Sequence, residues 1–271
     1  RRRWENDSTA LLRLQTRSGR TLHCSPEHRI YTFDGWKQAG ALQESDRIAS
    51  PRRIPSLNAD RSKSVAEARL LAYMIAEGSV TGLNTRFTNG TEAIRKDFRR
   101  CAHEVGIGTT RLKARDALDL VDGAQRWLDA VGIRRVKSTE KRLPEWIHSA
   151  PEEHVRHFFA VFMDTDGWFT DRKAGITLAS RGLIQDLRAL GLRIGLYGSV
   201  WEKPNDCAGA WELVFDQETF SVLESLPYVK KGDRARSLRD VERYSNADTY
   251  PPSVFGDLPY GWNRSLRDEG I

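Results

Sequence analysis

Residues 158–168 read FFAVFMDTDGW, and residues 69–79 read RLLAYMIAEGS. Each stretch is an apolar run that ends in an acid followed by glycine. Small positions recur four residues apart in each run, and helical positions four apart share a face. Small residues on such a face let two helices approach closely, so we predict one tight helix pair. The small positions are Ala72 and Ala76 in one copy, and Ala160 and Asp164 in the other.

The two acid–glycine ends predict a charged site. Gly78 and Gly167 are expected to end the helices, because glycine takes the left-handed cap at little steric cost. Glu77 and Asp166 precede these glycines, so parallel packing would bring two carboxylates to one surface. Carboxylates at close range repel each other unless cations lie between them, which predicts a metal site. The alternative is two unrelated core helices, each with an acid near its C-terminus.

The composition sets broad limits. The 271 residues carry a formal net charge of +6, and 39% of them are hydrophobic. This length allows two compact domains, and the basic excess suits a polyanionic partner without identifying one. Three cysteines without a CxxC pair indicate neither a zinc knuckle nor a disulfide framework, so a reducing, cytoplasmic compartment is expected. The sequence shows no apolar run of about 20 residues and no signal peptide, which predicts no membrane partner.

An ordered series of residues lies in the N-terminal region, where short strands are predicted over residues 10–50. The series is Ser25 and His28, then Gly35, Trp36, Ala39 and Leu42, then Asp46, Ile48 and Ala49. It resembles the first half of a Hint splicing domain, as found in inteins. The resemblance implies that Ser25 and His28 are remnants of a splicing site, in which His28 polarises the first splice junction. The alternative is a histidine that bonds to a loop backbone.

The two ends of the chain depart from the splicing pattern. Arg1 stands where an intein begins with Cys or Ser, and residues 268–271 stand where it closes with His-Asn. Splicing requires an N-terminal nucleophile and an Asn that cyclises at the C-terminus. We therefore expect that this chain does not complete splicing as written, and that it is a fragment, an edited form or a degenerate relative.

The remainder of the chain repeats one order of elements. Residues 51–64 are rich in Pro, Arg, Lys and Ser, which predicts a linker. Helix, strands, helix, strands, helix are predicted over residues 65–148 and again over 152–231, which indicates a duplication and a pseudo-dimer in one chain. The predicted domains are a partial Hint segment with linker at 1–60, two duplicated halves at 61–148 and 149–244, and an unassigned tail at 245–271.

Two acid–glycine helices heading duplicated units resemble the LAGLIDADG homing endonucleases. The motif copies match in frame from Leu70 to Gly78 and from Phe159 to Gly167, and an endonuclease after a Hint first half is the layout of a large intein. The resemblance implies an α+β fold of duplicated αββαββα units, preceded by a partial all-β Hint-like segment. It also implies a saddle of two antiparallel sheets in the DNA major groove. The expected molecule is a monomer with an internal pseudo-twofold that binds a long, asymmetric double-stranded site.

The resemblance further implies that the last acid of each motif binds divalent metal. The predicted metal residues are Glu77, Asp166, Gly78 and Gly167, with Mg²⁺ or Mn²⁺ as the ion. Cations held by carboxylates activate a water and neutralise the charge that develops on a phosphodiester. Glu77 replaces the usual aspartate, so its site is expected to bind metal loosely or cut slowly. Asp164 points to a different side of the helix and is expected to pack or cap.

A basic residue near each scissile phosphate is implied as well. Lys141 lies in a Lys-x-x-Pro stretch ahead of the second motif helix, and Lys231 follows Leu226-Pro227-Tyr228 late in the second unit. Both are predicted to be catalytic. The alternative for either lysine is a solvated surface charge or a non-specific phosphate contact.

Strand faces are predicted to read the DNA sequence, because residues two apart on a strand face the same side. Arginine pairs with guanine edges, whereas lysine mostly holds phosphate. The candidates are Arg86, Arg111, Lys113 and Arg115 in the first unit, and Arg172, Lys173, Trp201, Lys203 and Lys230 in the second.

Two other functions stay open at this point. A protein of the same fold could bind DNA without cutting it, as a splicing cofactor or transcriptional regulator. Such proteins usually lose the motif acids, and both acids are present here. The other alternative is a splicing-domain fragment that carries an inactive endonuclease insert.

Overall fold

The computed structural model describes residues 11–55, 59–80, 84–111, 116–203 and 209–240. The chain divides into two compact units. Among the described residues, the smaller unit comprises 11–12 and 24–49, and the larger one comprises 13–23 and 50–240. In these described ranges, no helix is long and apolar enough to cross a membrane.

The N-terminal region contains two small β-sheets, which confirms the predicted all-β segment. β1 (Leu12–Gln15) and β2 (Thr21–Cys24) form a two-stranded sheet, and most of this hairpin belongs to the larger unit. In the smaller unit, β3 (Arg29–Thr32) pairs antiparallel with β4 (Gly35–Gln38).

The first half of the larger unit begins with a helix that its own sequence caps. The Ser64 hydroxyl accepts the N–H of Glu67, and the Glu67 carboxylate accepts the N–H of Ser64, which is a capping box. The elements are α1 (Val65–Ala76), β5 (Gly78–Ser79), β6 (Thr85–Thr88), α2 (Glu92–Glu104), β7 (Thr109–Arg111), β8 (Ala117–Leu120), α3 (Ala124–Val131) and α4 (Glu145–Ser149). Antiparallel pairing gives the sheet order β5-β6-β8-β7.

The second half repeats this order element for element. The elements are α5 (Glu152–Thr165), β9 (Gly167–Phe169), β10 (Ala174–Leu178), α6 (Arg181–Gly191), β11 (Gly198–Lys203), β12 (Ala210–Phe215), α7 (Phe220–Glu224) and α8 (Gly232–Arg236). The sheet order is β9-β10-β12-β11, again antiparallel. The predicted α+β fold of duplicated αββαββα units is confirmed.

Each sheet packs one face against helices and leaves the other face open. In β6, Thr85 and Phe87 are buried, so Arg86 between them projects to the open face. The Phe87 ring stacks on Phe98 of α2, with centroids 4.2 Å apart. This alternation separates a helix-packed core from a polar surface on each half.

The two motif helices, α1 and α5, pack against each other, as predicted. Both are buried almost all round, because residues 70–74 and 158–163 have nearly no exposed surface. Arg69 of α1 donates to Nδ1 of His157 on α5 over 3.0 Å. The helix pair thus joins the two halves through one shared core.

The frame of the small residues differs from the prediction. Gly78 lies against Met74 as Gly167 lies against Met163, so these glycines occupy equivalent positions. In that frame Ala72 and Ala76 correspond to residues 161 and 165, not to Ala160 and Asp164. The equivalent of Ala72 is a fully buried valine, so close packing here does not require a small residue in both copies.

The two motif glycines have a different role from the predicted left-handed cap. Neither has a positive φ. A Cβ on Gly78 would lie 2.3 Å from the carbonyl oxygen of Met74, and a Cβ on Gly167 would lie 2.6 Å from that of Met163. Glycine is therefore required because the chain passes too close to the last helical turn for any side chain.

Candidate active site

Glu77 and Asp166 occupy the same place at the ends of the motif helices. Each is the C-cap residue, and its N–H closes the last turn by donating to Tyr73 O or Phe162 O over 3.0 Å. Burial raises the pKa of Glu77, and the negative charge of Asp166 raises it further. The structure therefore brings the two predicted carboxylates close enough to interact.

Asn89 holds the Glu77 carboxylate and was not predicted from the sequence. Its Nδ2 donates to Glu77 Oε2 over 2.6 Å, which opposes the rise in the pKa of Glu77 that burial causes. Asn89 Oδ1 in turn accepts the N–H of Thr91 over 2.8 Å, which fixes the orientation of the amide. The only sequence signal for Asn89 is its place just before the first turn of α2.

The carboxylate of Asp166 is less well satisfied than that of Glu77. Burial raises the pKa of Asp166, while the charges of Lys141 and Lys231 oppose that rise. Its Oδ2 is buried and has no hydrogen-bond partner among the described residues. A buried, unpartnered carboxylate oxygen is costly unless another group satisfies it.

This donor set fits a hard divalent cation. The described part of the chain contains no group of three or more His, Cys, Asp or Glu side chains able to hold a metal. Mg²⁺ commonly binds one or two protein carboxylates and takes its other ligands from water and phosphate. Glu77 and Asp166, with the unpartnered oxygen of the latter, match that pattern.

Lys141 lies against the end of α1. Its Nζ donates to Ile75 O over 2.7 Å and to Gly78 O over 3.3 Å. Burial lowers the pKa of Lys141, and the charge of Asp166 partly offsets this. A lysine carries three N–H donors, so one remains for another acceptor.

Lys231 lies against the end of α5 in the matching way. Its Nζ donates to Met163 O over 2.9 Å, to Thr165 O over 3.3 Å and to Gly167 O over 2.6 Å. Burial lowers the pKa of Lys231, whereas the charges of Asp164, Asp166 and Glu77 raise it. Neither lysine is a solvated surface charge. Glu77, Asp166, Lys141 and Lys231 form what we call the acid–lysine cluster.

The second half holds the loop that carries Lys141. Ser180, the N-cap residue of α6, donates its hydroxyl to Lys141 O over 2.8 Å. The carboxylate of Asp186 accepts two bonds from Arg142, each 2.7 Å long, and one from Leu143 N–H at 3.0 Å. The lysine at the end of α1 is thus positioned from α6.

Asp164 holds the loop that carries Lys231. Its buried carboxylate accepts the N–H groups of Val229, Lys230 and Lys231 over 2.6, 3.1 and 2.7 Å. It therefore anchors a loop, in line with the packing or capping role expected for it. Lys230 adds a tie to the first half, because its Nζ donates to Thr91 Oγ1 over 3.0 Å.

Of the predicted DNA-reading residues of the first half, the two that are described, Arg86 and Arg111, lie on different faces of the sheet. Arg86 lies on the open face in a two-bond pair with Asp119, at 2.6 and 3.1 Å. Arg111 pairs in register with the buried Leu118, so it faces the helix side. There the Arg95 guanidinium lowers the pKa of Glu92, and the charge of Arg111 adds to the effect. Lys113 and Arg115 lie outside the described residues.

In the second half, Trp201 and Lys203 share the open face of β11. Trp201 is 50% exposed, and Lys203 Nζ lies 4.0 Å from Glu212 Oε1. Arg172 and Lys173 lie in the turn between β9 and β10. These four residues remain predictions for contacts with DNA.

The two splicing candidates lie in the smaller unit. The N–H of His28 donates to Ser25 O over 3.1 Å, and His28 O accepts the N–H of Ala39 over 2.8 Å. The His28 side chain itself is exposed. Its role at a splice junction remains a prediction.

Comparison with protein families identifies part of this architecture. Residues 153–225 match the family described as the LAGLIDADG-like domain. The match lies within the second half and includes α5 with its acid and glycine. It confirms the family resemblance that the two motif copies indicated.

The chain is also similar to segments of longer proteins. It is 26% identical over 216 residues to the replication factor C small subunit of Methanocaldococcus jannaschii, which covers 74% of this chain and 11% of that protein. It is 26% identical over 217 residues to the RecA protein of Mycobacterium tuberculosis, which covers 73% of this chain and 27% of that protein. The chain thus spans between 11% and 27% of the length of these curated relatives.

A solved structure gives a further likeness. The crystal structure of I-DmoI in complex with DNA and Ca aligns with 65% of this chain and 97% of its own, at 14% sequence identity and a TM-score of 0.46.

Proposed function

We propose that this chain, whose residues 153–225 match the LAGLIDADG-like domain, is a metal-dependent endonuclease that cleaves double-stranded DNA at a long, asymmetric site. The observation that carries the proposal is the acid–lysine cluster. Two carboxylates and two lysines from distant parts of the sequence converge where the paired motif helices end. A phosphodiester needs this combination, because its hydrolysis develops negative charge that cations must stabilise.

Glu77 and Asp166 are the residues that would hold Mg²⁺ or Mn²⁺. Such an ion supplies a Lewis acid for the phosphate and lowers the pKa of a bound water. Lys141 keeps one N–H that can donate to a phosphate oxygen, since its other two bonds go to backbone carbonyls. Each half provides one acid and one lysine, so one protein molecule can act on both strands. Lys231 differs from Lys141 because its Nζ donates to three backbone carbonyls.

We infer that this endonuclease belongs to an intein. The series from Ser25 to Ala49 resembles a Hint first half, and it lies in a separate compact unit. The chain also aligns with only part of two differently named proteins: 11% of the replication factor C small subunit and 27% of RecA. A segment shared by otherwise different proteins is typical of an inserted element.

Plasmid cleavage tests the proposal. The purified chain is incubated with Mg²⁺ and a supercoiled plasmid that carries the host gene without the insertion. We expect nicked and then linear plasmid, and we expect no breaks from the Glu77→Gln/Asp166→Asn double variant. Tight binding by the unaltered chain without strand breaks would favour the alternative, a DNA-binding protein that does not cut.

A further inference from the structure

An open groove of about 410 Å³ lies between the β1–β2 hairpin and α6. It shares no residue with the acid–lysine cluster. The hairpin contributes Arg13, Thr21 and His23, and α6 contributes Arg181, Gln185 and Arg188. The three α6 residues stand at positions i, i+4 and i+7, which follow one another along one face of a helix. We call this feature the arginine groove.

The charge of the groove is one-sided. None of its lining residues is acidic, although three are arginines. The Arg181 guanidinium stacks on the Trp211 ring, 4.7 Å from its centroid, which fixes that cation in place. Arg20 of the same hairpin adds a further positive charge that acts on Arg188.

Arg188 lacks the carboxylate partner that the other two buried arginines of the described ranges have. Arg69 and Arg95 are 3% and 7% exposed, and each forms an ion pair with a carboxylate. Arg188 is 8% exposed, and among the described residues its only hydrogen bond goes to the carbonyl oxygen of Ser18, over 3.1 Å. A buried charge is normally paired, because leaving it alone in a low-dielectric environment is costly.

The cost of burying the Arg188 charge is reflected in the pKa of its guanidinium. Burial, with the nearby charge of Arg20, lowers the pKa of Arg188 to about 10. An anion in the groove would reverse both effects. It would compensate the buried charge and relieve the repulsion between neighbouring cations.

We propose that the arginine groove binds a phosphate group of the nucleic-acid backbone, as a second contact point outside the acid–lysine cluster. Arginine suits phosphate because its planar guanidinium donates two parallel N–H bonds to it. The groove is open rather than closed over its occupant, which suits one group of a long polymer. This proposal rests on the proposed function for its nucleic-acid partner. It involves no residue of the acid–lysine cluster.

Salt-dependent binding tests the groove. The affinity for a 40-base-pair duplex is measured by fluorescence anisotropy over a range of KCl concentrations, with EDTA present so that no cutting occurs. The Arg13→Gln/Arg181→Gln variant is expected to bind about tenfold more weakly at 150 mM KCl. The slope of log K against log [KCl] should fall by about 0.9 for each phosphate that the variant no longer neutralises.

A matched control removes the same charge elsewhere. Arg17 lies on the same hairpin and Arg126 on α3, both exposed and both outside the groove. The Arg17→Gln/Arg126→Gln variant should bind within about twofold of the unaltered chain, with its slope nearly unchanged. Equal weakening by the two double variants would overturn the proposal, because net charge alone would then explain the binding.

A second measurement distinguishes nucleic acid from free phosphate. Thermal unfolding is followed with inorganic phosphate or chloride at equal ionic strength. A rise in Tm with phosphate that the Arg13→Gln/Arg181→Gln variant lacks, without a change in duplex affinity, would assign the groove to free phosphate and overturn the nucleic-acid source. Plasmid cleavage by the unaltered chain is measured separately and does not enter the salt slope, so a failed groove and a failed nuclease give different results.

Discussion

Glu77 and Asp166 occupy equivalent positions, yet their carboxylates have different neighbours. Glu77 is longer by one methylene, and Asn89 satisfies one of its oxygens. The residue at the place of Asn89 in the second half is Leu178, and Asp166 Oδ2 has no protein donor within the described ranges. The site is therefore asymmetric at the level of single atoms, and the two halves should respond differently to the same substitution.

Asp166 should reduce stability at neutral pH. Burial raises the pKa of Asp166 in the folded state. Between the ordinary and the raised value, the folded chain binds more protons than the unfolded chain, so the free energy of unfolding falls as pH rises through that window. Without metal, Asp166→Asn should therefore have a higher Tm than the unaltered chain at pH 7, and the difference should vanish near pH 3.

Asp171→Asn is the matched control for this prediction, because Asp171 is exposed in the turn before β10. Its Tm should follow that of the unaltered chain at every pH. Added Mn²⁺ should raise the Tm of the unaltered chain and of Asp171→Asn, but not that of Asp166→Asn. A lower Tm for Asp166→Asn at pH 7 would show that its attraction to the two lysines outweighs the cost of burial.

Asn89 should position the Glu77 carboxylate. Its hydrogen bond opposes the rise in the pKa of Glu77, so Asn89→Ala should raise that pKa and leave less of the charged form at a given pH. We expect nicking by the Glu77 site to be slowed most at the acidic end of the pH profile and to recover as the pH rises, because the charged form of Glu77 then returns. The measurement is a pH profile of the two strand-cutting rates on end-labelled duplex.

Asn84→Ala serves as the comparison, because Asn84 bonds to Asp119 over 3.3 Å and not to the acid–lysine cluster. Its pH profile should match that of the unaltered chain. If Asn89→Ala lowered both strand-cutting rates equally at all pH values, a general structural loss would replace the positioning role.

At the scale of the elements, the two catalytic lysines predicted from the sequence lie on loops that form hydrogen bonds with the other half. Lys141 ends the connection from α3, yet Ser180 and Asp186 of α6 hold its loop. The loop with Lys231 follows α7, and Lys230 reaches Thr91 at the start of α2. Ser180 and Thr91, the N-cap residues of α6 and α2, thus each form a hydrogen bond with one of the two lysine-bearing loops.

Asp164 should be the main anchor of the Lys231 loop. Asp164→Ala leaves three N–H groups without their acceptor, which we expect to cost about 3 kcal/mol of unfolding free energy and to slow cutting. Urea unfolding gives the first quantity, and hydrogen exchange at residues 229–231 reports whether that loop is released. Asp233→Ala, whose side chain is exposed, should change stability by less than about 0.5 kcal/mol. Unchanged exchange at residues 229–231 would contradict the anchoring role.

The sequence predicts the long elements well and the short ones poorly. Both motif helices and α2 and α6 have apolar periodicity, and all four are helices in the structure. β5 and β9 contain two and three residues, too few to show an alternation. The two acids are predicted by their motif, and the two lysines by the family resemblance. Asn89 is not predicted, because a side-chain bond across a sheet edge has no periodic signal.

At the scale of the whole molecule, the two halves share one hydrophobic core. Side chains of both motif helices lie in the same buried cluster as the cores of both sheets. We predict that the larger unit unfolds as one cooperative body. Hydrogen exchange should then give the same opening free energy for the most protected amides of α2 and α6. Markedly faster exchange in one of these helices would mean that the halves unfold separately.

The loops with Lys141 and Lys231 each form hydrogen bonds with the other half, which limits how halves from different proteins can be joined. A chimera that joins the first half of this chain to the second half of a distant relative keeps the helix pair only if the packing matches. It also loses the lysine of the first half unless the new partner supplies equivalents of Ser180 and Asp186. Because each half of the duplication holds a loop of the other half, a substitution in one loop changes the requirement on the residues that hold it. Substitutions in the two lysine-bearing loops should therefore covary with those at their contacts among related sequences.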